Sequence, residues 1–132
     1  MKRIKKRIIG SALAVVLLLA VSVGVYAAEI EVGCNKSYAL RQLSNVPDSS
    51  WVKEVTYGFT ADSTTVTVTC TQNTTNGASV STTIFGVGSA TLNQAGSSYS
   101  ASVEKGKMAM VSVRLATPDS YNTYTGYGTV VN

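Results

Sequence analysis

The 132-residue sequence contains no histidine. This absence excludes Ser-His-Asp and Cys-His catalytic arrangements and every zinc site that needs an imidazole ligand. Carboxylates are also scarce, with seven aspartates and glutamates in all, and no glycine-rich loop leads into a helical pattern as a phosphate-binding loop requires. We therefore predict a protein that is not an enzyme and needs neither a metal nor another cofactor.

The N-terminus has the pattern of a secretory signal peptide. A basic segment precedes an apolar run over residues 8–25, and small residues then suit cleavage after Ala27. The predicted organisation is a signal helix over residues 1–27 and a single secreted domain over residues 28–132. The apolar run is also about long enough to span a bilayer, so an uncleaved membrane anchor is the alternative.

Removal of this leader changes the charge of the protein. The predicted secreted domain has six basic and seven acidic residues, a net charge of −1, because five of the eleven lysines and arginines lie in the leader. A basic patch that could neutralise phosphates is missing. We therefore expect no nucleic-acid partner and no membrane association after cleavage.

The only cysteines are Cys34 and Cys70. They lack the Cys-x-x-Cys spacing of redox and zinc sites. Two cysteines in a small exported domain are typical of one structural disulfide. In the chain-entropy account, closing the loop between Cys34 and Cys70 would stabilise the fold by roughly 3–4 kcal/mol. We predict a disulfide between Cys34 and Cys70.

Alternation of apolar and polar residues predicts strands throughout the secreted domain. The clearest case is residues 64–71, where Val66, Val68 and Cys70 alternate with threonines. Further strands are predicted over residues 29–32, 37–43, 51–60, 79–92, 98–103, 107–117 and 121–131. Residues 37–43 could instead form a helical turn, and residues 79–92 fit either one strand with a glycine bulge or two short strands. The sequence thus predicts an all-β fold, a small antiparallel, Ig-like β-sandwich of about seven or eight strands, with a small barrel as the alternative.

Three turns are predicted to join successive strands as hairpins, because they are short or contain Asn-Gly or Gly at the bend. They are residues 61–63, Asn76-Gly77 and residues 104–107. For the last turn two registers stay open. One sets Val103 beside Met108, and a shift by one residue would instead bury Val111 and Val113.

Three tyrosines near the C-terminus form the candidate binding surface: Tyr121, Tyr124 and Tyr127, interleaved with asparagine, threonine and glycine. Tyrosine gives a large contact area at low conformational-entropy cost. Tyr124 and Tyr127 point to opposite faces of a strand, so at least one of them is expected in the core.

The predicted function is a non-enzymatic secreted or cell-surface module that binds an extracellular protein or glycan. The alternative is a small secreted antibacterial, bacteriocin-like protein that acts on the envelopes of neighbouring cells. The weak charge and the missing cationic face count against this alternative.

Overall fold

The computed structural model describes residues 27–73 and 77–132. The predicted signal peptide, apart from Ala27, and Asn76 of one predicted hairpin lie outside the described residues. Among the described residues, no helix is long and apolar enough to cross a membrane. The described chain forms nine strands and one 3₁₀ turn (Asp48–Ser50): β1 (Ala27–Val32), β2 (Lys36–Gln42), β3 (Val52–Thr60), β4 (Thr65–Asn73), β5 (Ser79–Ile84), β6 (Gly88–Leu92), β7 (Ser98–Ser102), β8 (Met108–Ala116) and β9 (Tyr124–Val131).

The predicted all-β sandwich is confirmed, with two layers of strands. The first layer has the order β6-β5-β8-β3, with β1 added in parallel to β3, and the second has the order β2-β9-β4-β7. Every pairing other than that of β1 with β3 is antiparallel. A single residue pair, Arg41 with Val52, joins the two layers.

Residues 79–92 form two strands, which is one of the two arrangements predicted for this segment. β5 and β6 are joined by the turn at residues 85–87, where Gly86 has a φ of 77°. A left-handed conformation of this kind favours glycine. The two strands pair directly, from Val80 with Leu92 to Ile84 with Gly88.

The three predicted hairpins are wrong. The chain passes from one layer to the other at every connection between successive strands except that between β5 and β6. β3 pairs with β8, β4 pairs with β7 and β9, and β8 lies between β3 and β5. Turn residues determine that a chain reverses, whereas the layer in which a strand pairs depends on where its apolar side is buried.

The inner faces of both layers share one core, and it contains the residues whose alternation predicted the strands. Val66, Val68 and Cys70 of β4 are fully buried. Val111 and Val113 of β8 are also fully buried, although neither register considered for a hairpin with β7 occurs. Other fully or almost fully buried side chains are Leu40, Val55, Tyr57, Val80, Ile84, Leu115 and Val130.

One tyrosine lies across strand β9. Tyr38 of β2, Gly128 of β9 and Cys70 of β4 are paired in one row of the second layer. The Tyr38 hydroxyl donates a hydrogen bond of 2.9 Å to the carbonyl oxygen of Thr69. A methyl group at position 128 would overlap both this hydroxyl and this carbonyl. Glycine is required here because the phenol ring passes so closely over the backbone.

A Gly128→Ala substitution is therefore expected to destabilise the fold by about 1–3 kcal/mol or more, as overpacking of a core does. Urea unfolding measures this loss. The control is Thr129→Ala on the same strand, which changes an outward side chain and should cost about 1 kcal/mol or less. Equal stability of the two variants would contradict the placement of Tyr38.

Candidate functional site

The outward side of the second layer carries serine or threonine at most positions. This surface follows from the alternation of the sequence, since every second residue of each strand points away from the core. We call it the hydroxyl face and define it by Ser37 of β2, Thr125 and Thr129 of β9, Thr65, Thr67 and Thr69 of β4, and Ser98, Ser100 and Ser102 of β7.

The register of the strands arranges these hydroxyl groups in rows. Ser37, Thr129, Thr69 and Ser98 form one row that crosses all four strands. In the next row the hydroxyls of Thr67 and Ser100 are 2.8 Å apart and hydrogen-bonded. Each hydroxyl can donate one hydrogen bond and accept two. The face therefore offers both donors and acceptors at regular spacing.

Tyr127 supplies an aromatic ring at the hydroxyl face. It is 38% exposed and lies on β9, where its paired residues are Ala39 of β2 and Gln72 of β4. Alanine is a small neighbour and leaves room beside the ring. Among the described outward positions of these four strands, Arg41 is the only charged residue. The surface around the ring is thus nearly uncharged.

The three predicted tyrosines separate in the structure. Tyr127 lies at the surface, and Tyr121 is 73% exposed in the loop before β9. Tyr124 is 4% exposed and its hydroxyl donates a 2.6 Å hydrogen bond to Asp119. Its assignment to the binding surface is therefore wrong, and the expectation that the alternation would bury one of the pair is confirmed.

Asp119 organises the loop that carries Tyr121. Its carboxylate accepts hydrogen bonds from the Tyr124 hydroxyl, from the backbone N–H groups of Tyr121 and Asn122, and from the Asn122 side chain. The bond from Tyr124 is the main reason that the pKa of Asp119 falls from 3.8 to about 2. The same bond raises the pKa of Tyr124.

The buried amide of Gln42 fixes this loop to β2. Its nitrogen donates to the carbonyl oxygens of Asp119 and Asn122 at 3.0 and 2.7 Å. Its oxygen accepts a hydrogen bond from the Thr117 hydroxyl at 2.9 Å. The sequence gave no sign that this amide is buried, because a polar residue at the end of a strand usually faces solvent.

The two cysteines are free thiols in the structure. The Cys34 thiol donates to the carbonyl of Val130 and the Cys70 thiol to that of Gln72, at 3.6 and 3.7 Å. Cys70 lies on β4, whereas Cys34 precedes β2 on the other side of β9. Two strand spacings, roughly 10 Å, therefore separate their backbones, and a disulfide needs Cα atoms within about 7 Å. The predicted disulfide is not formed.

A cavity of about 350 Å³ opens beside β3, β5 and β8, and its lining residues are Lys53, Ser81, Arg114, Leu115, Ala116 and Thr117. The Lys53 ammonium donates a 3.1 Å hydrogen bond to the Thr117 hydroxyl. Burial, followed by the nearby charge of Arg114, lowers the pKa of Lys53. The cavity thus combines two cationic groups with two hydroxyls. Its parts come from three strands, so the sequence did not reveal it.

Glu54 lies beside this cavity on β3, paired with Arg114. One of its carboxylate oxygens accepts a 2.8 Å hydrogen bond from Ser112, and the other is buried without a hydrogen-bond partner. In the described part of the chain, no group of three or more aspartate, glutamate, cysteine or histidine side chains is placed to hold a metal ion.

Comparison with known proteins gives distant structural likenesses alone. No protein family matches the sequence, and no curated protein matches it. The pre-peptidase C-terminal domain of collagenase from Bacillus anthracis is similar with a TM-score of 0.45 and 12% identity, over 80% of this chain and 95% of that domain. The Penaeus vannamei nodavirus P-domain is similar with a TM-score of 0.35 and 15% identity, over 72% and 96% of the two chains. At these values the likenesses carry no argument about function.

The free thiols lead to a prediction for chemical labelling. Burial raises the pKa of both thiols, and a protonated, buried thiol reacts slowly. Cys70 is fully buried and Cys34 partly exposed. We expect iodoacetamide to label Cys34 first in the folded protein and Cys70 only after unfolding, as followed by mass spectrometry. If reduction increases the mass of the protein by two hydrogen atoms, a disulfide was present and this account is contradicted.

The Asp119 hydrogen bonds lead to a prediction for acid stability. Because the pKa of Asp119 is lowered from 3.8 to about 2 in the folded state, its stabilising effect is present above pH 4. It is lost as the pH falls from about 4 to about 2. We expect Asp119→Asn to lower the Tm at neutral pH and to remove part of the acid dependence in this range.

Tyr124→Phe is the matched variant, because it removes the main bond and keeps the carboxylate. Between about pH 4 and about pH 2 the Tm of this variant should fall less than that of the unchanged protein, because the pKa of Asp119 in the folded state then lies closer to 3.8. Identical profiles of Tm against pH for all three proteins would contradict the role given to Asp119.

Proposed function

We propose that this protein is a secreted, non-enzymatic binding module whose hydroxyl face binds a neutral glycan. The observation that carries the proposal is the nearly uncharged hydroxyl face with the exposed ring of Tyr127 beside its rows. Secretion is supported by the signal-peptide pattern of residues 1–27.

The chemistry of the hydroxyl face suits a sugar. Sugar hydroxyls both donate and accept hydrogen bonds, and so do serine and threonine hydroxyls, whose protons rotate to match a partner. The C–H face of a pyranose ring can lie against the Tyr127 ring, which loses little conformational entropy on binding. Acidic ligands favour clustered arginine or lysine, whereas Arg41 is alone among the described outward positions.

The shape of the face favours a chain of sugars over a single sugar. Four strands at about 4.8 Å spacing give a surface about 14 Å wide, with no enclosing walls formed by the strands themselves. A single small ligand binds best in a concave pocket that buries most of its surface. A polysaccharide can instead make repeated contacts along the rows of hydroxyl groups.

The other predicted functions have less support. A protein partner would be expected to contact an interface centre rich in aromatic residues and arginine, and the hydroxyl face has one exposed tyrosine and Arg41. No observation on the described residues favours the antibacterial alternative.

The test is binding of the exported protein to an array of neutral and acidic polysaccharides, followed by titration calorimetry on any glycan that binds. We expect Tyr127→Ala to weaken binding by about tenfold or more, equal to about 1.4 kcal/mol. Tyr127→Phe should retain most of the affinity, because it keeps the ring.

Two control variants keep this test specific. Tyr121→Ala removes an exposed tyrosine outside the rows, and Thr83→Ala removes a hydroxyl from the first layer; both should bind as the unchanged protein does. Unchanged binding by Tyr127→Ala would contradict the proposal. So would binding restricted to acidic glycans and abolished by Lys53→Ala, because that result would assign the ligand to the cavity.

A further inference from the structure

We propose that β1 is an exchangeable strand, which pairs with β3 of a second copy of this chain as it pairs with its own β3. The partner is thus another molecule of the same protein. This inference concerns the first layer and is independent of glycan binding at the hydroxyl face on the second layer.

β1 is attached to the fold mainly through its backbone. None of the described side chains over residues 28–32 is buried, and Val32 is 50% exposed. Among the described strands, β1 pairs with β3 alone. Its pairing with β3 is the one parallel pairing of the described sheet, and parallel pairing is slightly less stable per residue than antiparallel pairing. The departure of β1 would therefore remove no buried side chain from the apolar core.

The edge that β1 covers is suited to the same segment from another molecule. Its residues pair with β3 from Ala28 opposite Glu54 to Val32 opposite Gly58. Without β1, this edge of β3 would present unpaired N–H and C=O groups, which form a template for another strand. A second copy restores the same register and the same contacts, so that no new complementary surface is required.

The connection between β1 and β2 is short and conformationally restricted. Residues 33–35 make the whole turn, with φ of 106° at Gly33 and 60° at Asn35. Asn35 is the only residue other than glycine with a positive φ in the described part of the chain. An extended connection would release Asn35 from the left-handed region, which glycine adopts without strain but other residues rarely do. Short connections under strain favour exchange.

Weak polar contacts hold the turn closed. The Lys36 ammonium lies 3.1 Å from the Glu31 carboxylate and also donates to the carbonyl of Val32. Asn35 accepts a 3.0 Å hydrogen bond from the backbone N–H of Asn132. Both members of the ion pair are more than one-third exposed, so salt screens their attraction. Higher ionic strength should therefore promote opening of the turn.

Two kinds of assembly follow from one exchanged strand. Mutual exchange between two copies closes a dimer, whereas one-way donation continues from copy to copy as an open chain. The signal-peptide cleavage predicted after Ala27, the first residue of β1, would leave residues 28–32 as a free N-terminal segment that can enter another molecule. Both assemblies use the same pairing of β1 with β3, and light scattering distinguishes them by mass.

The first test compares two substitutions at one hinge position. Asn35→Pro and Asn35→Gly both remove the side-chain bond to Asn132. Proline fixes φ near −65° and cannot adopt the observed turn, whereas glycine adopts a positive φ without strain. After refolding at high concentration, we expect Asn35→Pro to form dimers or larger assemblies and Asn35→Gly to remain monomeric. Monomers for both variants, judged by size-exclusion chromatography with light scattering, would overturn the proposal.

The second test detects the exchanged pair directly, in a background in which Cys34 is replaced by serine and Cys70 by alanine. Protein with Ile30→Cys is refolded together with protein carrying Thr56→Cys, because residues 30 and 56 are paired. A disulfide between the two new cysteines can form only between different molecules. We expect a covalent heterodimer on a non-reducing gel, with the bridge identified by peptide mass spectrometry.

The control for this cross-link is Thr91→Cys on β6, at the far edge of the same layer. When the Thr91→Cys protein is mixed with the Ile30→Cys protein, the yield of cross-linked dimer measures random collision. A yield for residues 30 and 56 no greater than this background would overturn the exchange. Tyr127→Ala should leave the yield unchanged, so failure of the proposed glycan binding and failure of strand exchange are separate results.

Discussion

The second layer depends on the passage of Tyr38 over Gly128 to the carbonyl of Thr69. This contact fixes three neighbouring strands in one register, because the phenol starts on β2, crosses β9 and ends on β4. Burial raises the pKa of Tyr38, so the hydroxyl stays protonated and keeps its role as a donor. A slip of β9 by one residue would place Tyr127 beneath the phenol and turn the faces of the strand over. The hydroxyl face therefore exists because of a contact on the opposite side of the sheet.

The sequence was sufficient to predict strands and the side that each strand buries. Val66, Val68 and Val130 face the core as their alternation indicates, because burial of apolar side chains is a local property of the pattern. Pairing partners were not predictable in this way. The segment around Gly106 does reverse the chain, yet β7 and β8 lie in different layers. Local turn chemistry carries no information on which layer receives the next strand.

Prediction of the candidate site was partial for a similar reason. The alternation placed Tyr124 and Tyr127 on opposite faces of one strand, but it did not decide which of the two is buried. Tyr124 could not be assigned to Asp119, nor could Gln42 be recognised as buried, because these contacts join the end of one layer to a loop from the other. The disulfide was expected because the chain has two cysteines. The number of cysteines does not show that a strand, β9, lies between Cys34 and Cys70 in the fold.

The position of the last strand has a consequence for how the chain folds. β9 lies between β2 and β4. These two strands pair with β9 and not with each other, so the second layer stays divided until the C-terminal residues are available. Pairings between distant parts of a sequence form slowly, because loop closure must precede them. The second layer therefore cannot be completed before β9 (Tyr124–Val131) has been synthesised.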